Sequence, residues 1–146
     1  KGSDYLKDIL KYASVLVMNK EEATDLVGKN PINKMLKRLN KLGPEIVIIT
    51  DGKKGAYCSD SKHYYFVKPK KGIKVVETTG AGDAFASGFV SGMILKKDIK
   101  TSLKFALNNS ESVVQNFGAK NIILSRRKAL KLIKKDRRRI EKKKLR

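Results

Sequence analysis

The chain has 146 residues, a net charge of +20 at pH 7 and one cysteine, Cys58. This length is enough for one domain with a sizeable core, and a lone cysteine cannot form an internal disulfide, so we expect a cytoplasmic protein. No apolar run approaches the roughly 20 residues needed to span a bilayer, and the charged first residues are not those of a signal peptide, so we expect no membrane partner.

The first half of the chain alternates between helical and strand patterns. Apolar residues at helical spacing indicate helices, whereas short apolar runs that are partly β-branched are typical of buried strands. Gly28 and the pair Gly43-Pro44 are typical stop signals for the helices before them. The predicted elements are a helix over 4–12, a strand over 15–18, helices over 20–27 and 32–42, and a strand over 46–49.

The second half begins with a hairpin and continues with helices. Turn residues lie at 51–55 and 60–62, and Ser125 is a typical helix cap. The predicted elements are strands over 56–59, 63–67 and 73–76, helices over 83–95 and 101–117, and a last helix after Ser125. Strands that alternate with helices indicate an α/β fold, with a mainly parallel sheet flanked by helices and interrupted by one hairpin.

The most informative segment is a glycine-rich turn, which reads ETTGAGDAFASGF from Glu77. Gly80 and Gly82 permit tight or left-handed backbone, and the first amides of a helix have no partner inside it. With the helix dipole behind them, such amides form a site for a phosphate or a phosphoryl transition state. Asp83 lies in the first turn beside this site, where a carboxylate can accept a proton from a hydroxyl nucleophile.

Two better-known glycine motifs do not fit this segment. A P-loop requires a lysine that is absent here, and a dinucleotide-binding turn requires a small residue at the position of Phe85. A structural alternative stays open, in which the segment is a capped helix start and Asp83 only interacts favourably with the helix dipole.

Three segments together resemble the ribokinase (PfkB) family of sugar and nucleoside kinases. Residues 77–89 resemble the family signature Asp-Thr-x-Gly-Ala-Gly-Asp, with Glu77 in place of the commoner Asp. Residues 19–22, Asn-Lys-Glu-Glu, resemble the family's Asn-x-x-Glu motif, and residues 49–55 resemble its Thr-x-Gly-x-x-Gly nucleotide loop. The resemblance covers about residues 4–133 and implies a ribokinase-like layered fold.

The resemblance implies an ATP-dependent phosphotransferase. Asp83 would be the general base that deprotonates a hydroxymethyl group of a sugar or nucleoside, and this oxygen would then attack the γ-phosphate of ATP. The amides of Gly80, Ala81 and Gly82 would form the anion hole for the transferring group.

The resemblance also implies residues that bind Mg²⁺ and the nucleotide. Asn19 and Glu22 would organise Mg²⁺ and phosphate, largely through water. The nucleotide contacts would be Thr50, Asp51, Gly52, Gly55, Gly82 and, at the adenine edge, Asn108 with its neighbours. Structural alternatives stay open for both sets, because Asn19 with Glu22 approximates a capping box and residues 50–55 resemble an ordinary hairpin turn.

A monovalent cation site is implied by the family alone. The backbone around Glu77, Thr79, Asn116 and Gly118 would hold a K⁺-type ion, as in many family members. Carbonyl ligands leave little trace in a sequence, so no residue pattern adds to this assignment. His63, the single histidine, is interpreted as a structural or surface residue.

Family members are about twice as long, and their N-terminal half supplies most of the sugar pocket and a β-stranded lid. Because the chain begins at Lys1 rather than Met, we expect the C-terminal half of a kinase: a fragment, a processed product or one half of a split enzyme. We expect this piece alone to be inactive or nearly so, with the N-terminal half and a small-molecule substrate as partners and a homodimer left open. A divided sheet would expose an edge that favours pairing or aggregation.

Positive charge is concentrated at the C-terminus, where residues 126–146 contain 13 Lys or Arg but only two acidic residues. We divide the chain into a kinase part over 1–135 and a basic tail over 136–146, which we interpret as a solvated, frayed helix end. The alternative function is a non-catalytic kinase-like module that binds nucleic acid or an assembly through this tail. No aromatic residue follows Phe117, which argues against a platform that stacks single-stranded bases.

Overall fold

The computed structural model describes residue 6 and residues 8–95, 97–118 and 123–145. The strands are β1 (Val15–Asn19), β2 (Ile46–Thr50), β3 (Ala56–Ser59), β4 (His63–Val67) and β5 (Glu141–Lys144). The helices are α1 (Lys20–Val27), α2 (Ile32–Asn40), α3 (Ala81–Ile94), α4 (Ile99–Val114) and α5 (Arg126–Lys135), with a 3-10 turn at Gly52–Lys54. Residues 6 and 8–10 are also helical, residues 11 and 12 form a turn, and residues 4, 5 and 7 of the helix predicted over 4–12 lie outside the described residues. Among the described helices, none is long and apolar enough to cross a membrane.

The chain divides into two compact units. The sheet unit consists of residues 1–68 and 140–146, and the helical unit consists of residues 69–139. The sheet unit contains α1, α2 and all five strands, whereas the helical unit contains α3, α4 and α5. The predicted α/β class is confirmed.

The sheet has the order β1-β2-β3-β4-β5 and is mixed rather than mainly parallel. Only β1 and β2 run parallel, and the three other pairings are antiparallel. A parallel pair requires a long crossover connection, which α1 and α2 supply between β1 and β2. Tight turns join β2 to β3 and β3 to β4, and such turns can only produce antiparallel neighbours.

The core of the sheet unit lies between the sheet and the helices α1 and α2. In β2, the side chains of Val47, Ile48 and Ile49 are completely buried, as expected for a strand that reads as a continuous apolar run. The cluster that β1 and β2 form with the two helices consists of Met18, Ala23, Met35, Leu36, Leu39, Val47 and Ile49. This packing fixes the carboxyl ends of β1 and β2.

The helical unit is organised by the close packing of α3 against α4. A Cβ at Gly88 would lie 2.8 Å from the Cα of Ala106, and one at Gly92 would lie 2.7 Å from the Cα of Ser102. The Asn109 side chain donates a hydrogen bond of 2.8 Å to the Ala84 carbonyl. These contacts hold α3 against α4 from its first turn at Ala84 to its last turn at Gly92.

The strand predicted over 73–76 is not formed. Among the described residues, this segment pairs with no strand, and the Val76 amide donates instead to the Val114 carbonyl at the end of α4. The two long helices also begin earlier than predicted, α3 at Ala81 and α4 at Ile99, and α4 ends at Val114 rather than near residue 117. The early start of α4 follows from Asp98, whose side chain accepts from the Thr101 amide at 3.0 Å.

The residues after α5 are not a frayed helix end. Asp136 is 6% exposed and Ile140 is 8% exposed, so the chain is anchored in both units. Arg138 forms a bidentate ion pair with Glu111 on α4, with both distances 2.9 Å. β5 then pairs with β4 as an antiparallel edge strand.

Candidate functional site

The N-terminal end of α3 is open. Gly80 precedes the helix in a left-handed conformation, with φ 77° and ψ 0°, and no side chain caps the helix. A Cβ at Gly82 would meet no atom within 4 Å, so the space beside this turn is free of described atoms. An uncapped helix start of this kind can bind an anion through its amides and its dipole.

The backbone amides at the start of α3 differ in whether they already donate a hydrogen bond within the protein. The Ala81 amide donates to the Thr78 carbonyl at 3.1 Å, so the predicted role of this amide in an anion hole is not supported. The tight turn at Gly80 causes this, since it brings the Thr78 carbonyl back over the helix start. Among the described residues, the amides of Gly80, Gly82 and Asp83 donate no hydrogen bond.

Asp83 lies in the first turn of α3. Its side chain is exposed, and it forms no ion pair with any residue that the structure describes. A carboxylate in this position can accept a proton from a hydroxyl group brought to the open helix end.

Asn19 and Glu22 form a complete capping box at the start of α1. The Asn19 Oδ1 accepts from the Glu22 amide at 2.9 Å, and the Glu22 Oε2 accepts from the Asn19 amide at 2.8 Å. The structural alternative for this pair is therefore confirmed. Glu22 is exposed, and its Oε1 has no partner among the described residues, which leaves one carboxylate oxygen for a water molecule of a magnesium ion.

The Asn-x-x-Glu motif and the nucleotide-loop motif lie side by side in the sheet unit. Asn19 pairs with Thr50 at the carboxyl ends of the parallel strands β1 and β2, the end of a parallel sheet where α/β proteins bind ligands. Lys20 connects the two motifs through an ion pair of 3.0 Å between its Nζ and the Asp51 Oδ2. Sequence reasoning missed Lys20, although its place directly after Asn19 at a strand end was a usable signal.

The two glycines of the nucleotide loop have different environments. Gly52 has φ +50° and a Cβ there would meet nothing within 4 Å, whereas Gly55 has φ +120° and a Cβ there would lie 2.3 Å from the Val67 carbonyl oxygen. Gly52 therefore presents open backbone that a ligand can approach, while Gly55 is required by packing against β4.

The residues predicted around a monovalent cation are partly brought together. The Gly118 amide donates to the Glu77 Oε2 at 2.9 Å, and this hydrogen bond, followed by one from the Thr79 hydroxyl, lowers the pKa of Glu77. The Asn116 side chain instead donates to the Ser112 carbonyl at 3.0 Å. Among the described residues, no cluster of three or more His, Cys, Asp or Glu side chains could hold a metal ion.

Asn108 has a structural role, and its assignment to the adenine edge is not supported. Its side chain is 4% exposed, and its amide nitrogen donates to the Lys104 carbonyl at 2.8 Å and to the Asp136 Oδ2 at 2.6 Å. Its Oδ1 accepts from the Lys70 Nζ at 2.8 Å. Both amide hydrogens are used, so none is left for a purine edge.

Comparison with known proteins identifies a family and several relatives. Residues 1–126 match the profile of pfkB family carbohydrate kinases. An ATP-dependent 6-phosphofructokinase of Thermoanaerobacterium thermosaccharolyticum is 34% identical over 118 residues, which cover 81% of this chain and 36% of that protein. A ribokinase of Bacillus subtilis is 31% identical over 128 residues, which cover 87% of this chain and 42% of that protein. The chain thus spans less than half the length of these relatives.

Solved structures show the same fold. Ribokinase from Thermotoga maritima has a TM-score of 0.79 at 24% identity, covering 89% of this chain and 45% of its own. A protein provisionally named ribokinase II from E. coli, solved with ATP and Mg²⁺, has a TM-score of 0.81 at 20% identity, covering 91% of this chain and 43% of its own. At these identities the likeness concerns the fold alone.

Proposed function

The chain belongs to the pfkB family of carbohydrate kinases, and we propose that it forms the ATP-handling part of an enzyme that transfers the γ-phosphate of ATP to a hydroxymethyl group of a sugar or nucleoside. One observation carries the proposal: the N-terminal end of α3 is uncapped and open, with an exposed carboxylate in its first turn. Positioning and charge stabilisation supply most of the catalysis in phosphoryl transfer, so this arrangement needs no further reactive side chain.

The anion hole is proposed at the amides of Gly80, Gly82 and Asp83. These three groups lack a hydrogen-bond partner among the described residues, whereas the Ala81 amide is bonded to Thr78. Backbone donors fixed in this way stabilise negative charge on the transferring phosphoryl group without reorganisation.

Asp83 is proposed as the general base. It accepts the proton of the acceptor hydroxyl, and the resulting oxygen nucleophile attacks the γ-phosphorus while the bond to the β-phosphate oxygen breaks. Because the carboxylate is exposed and forms no ion pair with the described residues, no existing contact has to be broken before it accepts the proton. General-base assistance of this kind contributes about 10²- to 10⁴-fold to the rate.

In the sheet unit, we propose that Asn19 and Glu22 bind Mg²⁺ through water. The capping box uses one oxygen of Glu22, and the other oxygen fits the preference of Mg²⁺ for a single carboxylate together with waters and phosphates. Magnesium would neutralise negative charge on the phosphates. Thr50, Asp51 and the open backbone of Gly52 are proposed to contact the nucleotide.

A K⁺-type ion is proposed at the backbone on either side of the hydrogen bond between Glu77 and Gly118. Their hydrogen bond of 2.9 Å holds the two segments together, and the backbone carbonyls of these segments are proposed as the ligands. We propose further that phosphoryl transfer requires residues outside this chain, because the relatives it matches are more than twice as long and no residue here is assigned to the acceptor pocket.

The test is Asp83→Asn in the complete gene product. The change keeps the shape of the side chain but removes its ability to accept a proton, so kcat should fall by about 10²- to 10⁴-fold while the KM for ATP changes little. Release of ADP with a panel of sugars and nucleosides is the measurement.

The matched control is Glu45→Gln, which neutralises another exposed carboxylate outside the proposed site and should keep the activity of the parent. Full activity of Asp83→Asn with an acceptor that the parent phosphorylates would contradict the assignment of the base.

A further inference from the structure

Helix α5 and the residues that follow it carry an uncompensated row of positive charge. Eight Lys and Arg side chains between residues 123 and 139 are exposed, and none of them has an ion-pair partner among the described residues. The one acidic residue of this stretch, Asp136, is buried. We call the eight side chains the α5 basic face: Arg126, Arg127, Lys128, Lys131, Lys134, Lys135, Arg137 and Arg139.

Folding alone does not favour this arrangement. Lys131 has like charges three or four positions away on both sides, at Arg127, Lys128, Lys134 and Lys135, and such pairs destabilise a helix. The first turn of α5 also lacks any acidic residue and carries cations where the helix dipole disfavours them. A bound polyanion would relieve both kinds of repulsion.

The end of the α5 basic face is held in place by a buried ion pair. Arg138 points inward, where it contacts Asp136 and Glu111, each at 2.9 Å. Its two neighbours, Arg137 and Arg139, are therefore exposed on a fixed backbone. Fixing these cations before binding reduces the conformational entropy lost when they contact a ligand.

The surroundings of the α5 basic face favour one class of polyanion. The apolar residues of α5 are half-buried and the helix packs against α4, so no free apolar face is available to enter a membrane interface. Residues 123–145 contain no aromatic residue, so stacking on single-stranded bases is not available either. The phosphate backbone of a duplex needs only spaced cations.

We propose that the α5 basic face binds the phosphate backbone of double-stranded nucleic acid without sequence preference. Contacts to phosphate position a protein on a duplex but do not read sequence. This inference is independent of the proposed kinase reaction. It also centres the predicted nucleic-acid contact on α5, and of residues 136–146 it keeps only Arg137 and Arg139, since the residues after them form the edge strand β5.

The experiment compares two triple variants of the complete gene product. Lys131→Gln, Lys134→Gln and Lys135→Gln together neutralise three cations of the α5 basic face. Lys29→Gln, Lys34→Gln and Lys41→Gln neutralise three exposed lysines of the sheet unit and give the same net charge. Binding of a short mixed-sequence DNA duplex is followed by fluorescence anisotropy between about 50 and 200 mM KCl.

The parent should bind the duplex with an affinity that falls steeply as salt rises. The α5 variant should bind at least about 10-fold more weakly at low salt, and its slope of log K against log[KCl] should be shallower by about 2 to 3, since each lost phosphate contact contributes about 0.9. The control variant should keep the parent's slope to within about 1, the contribution of a single phosphate contact.

Three results would overturn the proposal. The parent could fail to bind the duplex at low salt, or the two variants could lose affinity equally, which would indicate net charge rather than a defined surface. The parent could also bind vesicles containing phosphatidylserine and not the duplex. Thermal unfolding of both variants checks that the substituted proteins fold as the parent does.

Discussion

Gly52 and Gly55 belong to one loop and both have positive φ, yet they serve different purposes. At Gly55 a side chain would meet the backbone of β4, because a Cβ would lie 2.3 Å from the Val67 carbonyl oxygen, whereas at Gly52 it would meet nothing within 4 Å. One glycine is therefore required by the fold. The other keeps the loop open where the nucleotide is proposed to bind.

These two environments predict different costs for the same substitution. Gly55→Ala combines a left-handed backbone with a backbone clash and should lower the free energy of unfolding by about 2 to 4 kcal/mol. Gly52→Ala should lower the free energy of unfolding by only about 1 kcal/mol, the cost of a left-handed backbone for a residue with a Cβ. Urea unfolding of both variants measures the difference, and equal losses would show that packing against Val67 is not what requires Gly55.

Local motifs could be predicted from the sequence, and distant partners could not. The pair Asn19 and Glu22 is recognisable because a capping box is defined by a spacing of three residues. The role of Asn108 depends on Asp136, which lies 28 positions later and binds it at 2.6 Å. A sequence pattern around Asn108 contains no sign of this partner, and the family resemblance, which implies a nucleotide contact there, does not reveal it either.

At the level of elements, the packing of α3 on α4 sets the position of the open helix end. Gly88 and Gly92 remove side chains from the surface that faces Ala106 and Ser102, so the two helices approach closely. Helix periodicity predicted both elements, but it did not indicate this close approach, because glycine is also a common residue in loops.

Adding one methyl group at this interface should be destabilising. The Cβ of Gly88→Ala would lie 2.8 Å from the Ala106 Cα, and overpacking of this kind typically costs about 1 to 3 kcal/mol, which the better helix propensity of alanine offsets only by about 1 kcal/mol. The control is Gly82→Ala on the same helix, where the added group is in open space. Thermal unfolding should show a lower Tm for Gly88→Ala alone, and an unchanged Tm would contradict the close packing.

Strand predictions succeeded where a partner strand was available. Residues 15–18 and 46–49 form strands that pair with each other. Residues 73–76 have no neighbouring strand in the part of the chain that the structure describes, and the Val76 amide donates to the Val114 carbonyl at the end of α4. The reverse error occurred at residues 141–144, which are lysine-rich and have no apolar pattern but pair with β4. An exposed edge strand often carries lysines, so hydrophobicity could not reveal it.

At the level of the whole molecule, one carboxylate anchors both ends of the helical unit. The Glu111 Oε1 accepts from the Lys70 amide at 2.8 Å, next to the start of the unit, and from the Arg138 Nη1 at 2.9 Å, next to its end. Arg138 also binds Asp136. Because residues 136–146 supply Asp136, Arg138 and all of β5, their removal would disrupt both the network and β5.

The pKa of Asp136 gives this network a defined dependence on pH. Burial alone raises the pKa of Asp136, but the hydrogen bonds from Arg138 and Asn108 together outweigh burial and leave the pKa below its usual value. Since the unfolded state then binds more protons, the carboxylate stabilises the fold fully above about pH 4 and loses this effect as the pH falls through the folded-state pKa.

Asp136→Asn should therefore lower the free energy of unfolding by about 1.5 to 3 kcal/mol at pH 7, the usual contribution of a hydrogen bond to a charged group. The difference between parent and variant should shrink as the pH falls below about 4, because the unfolded parent begins to bind a proton there while the folded carboxylate stays ionised until the pH reaches its lowered pKa. Urea unfolding at pH 7, 5 and about 3.5 measures both effects, with Glu45→Gln as an exposed control. A difference that stays constant across this range would mean that the negative charge of Asp136 is not what holds Arg138 and Asn108 together.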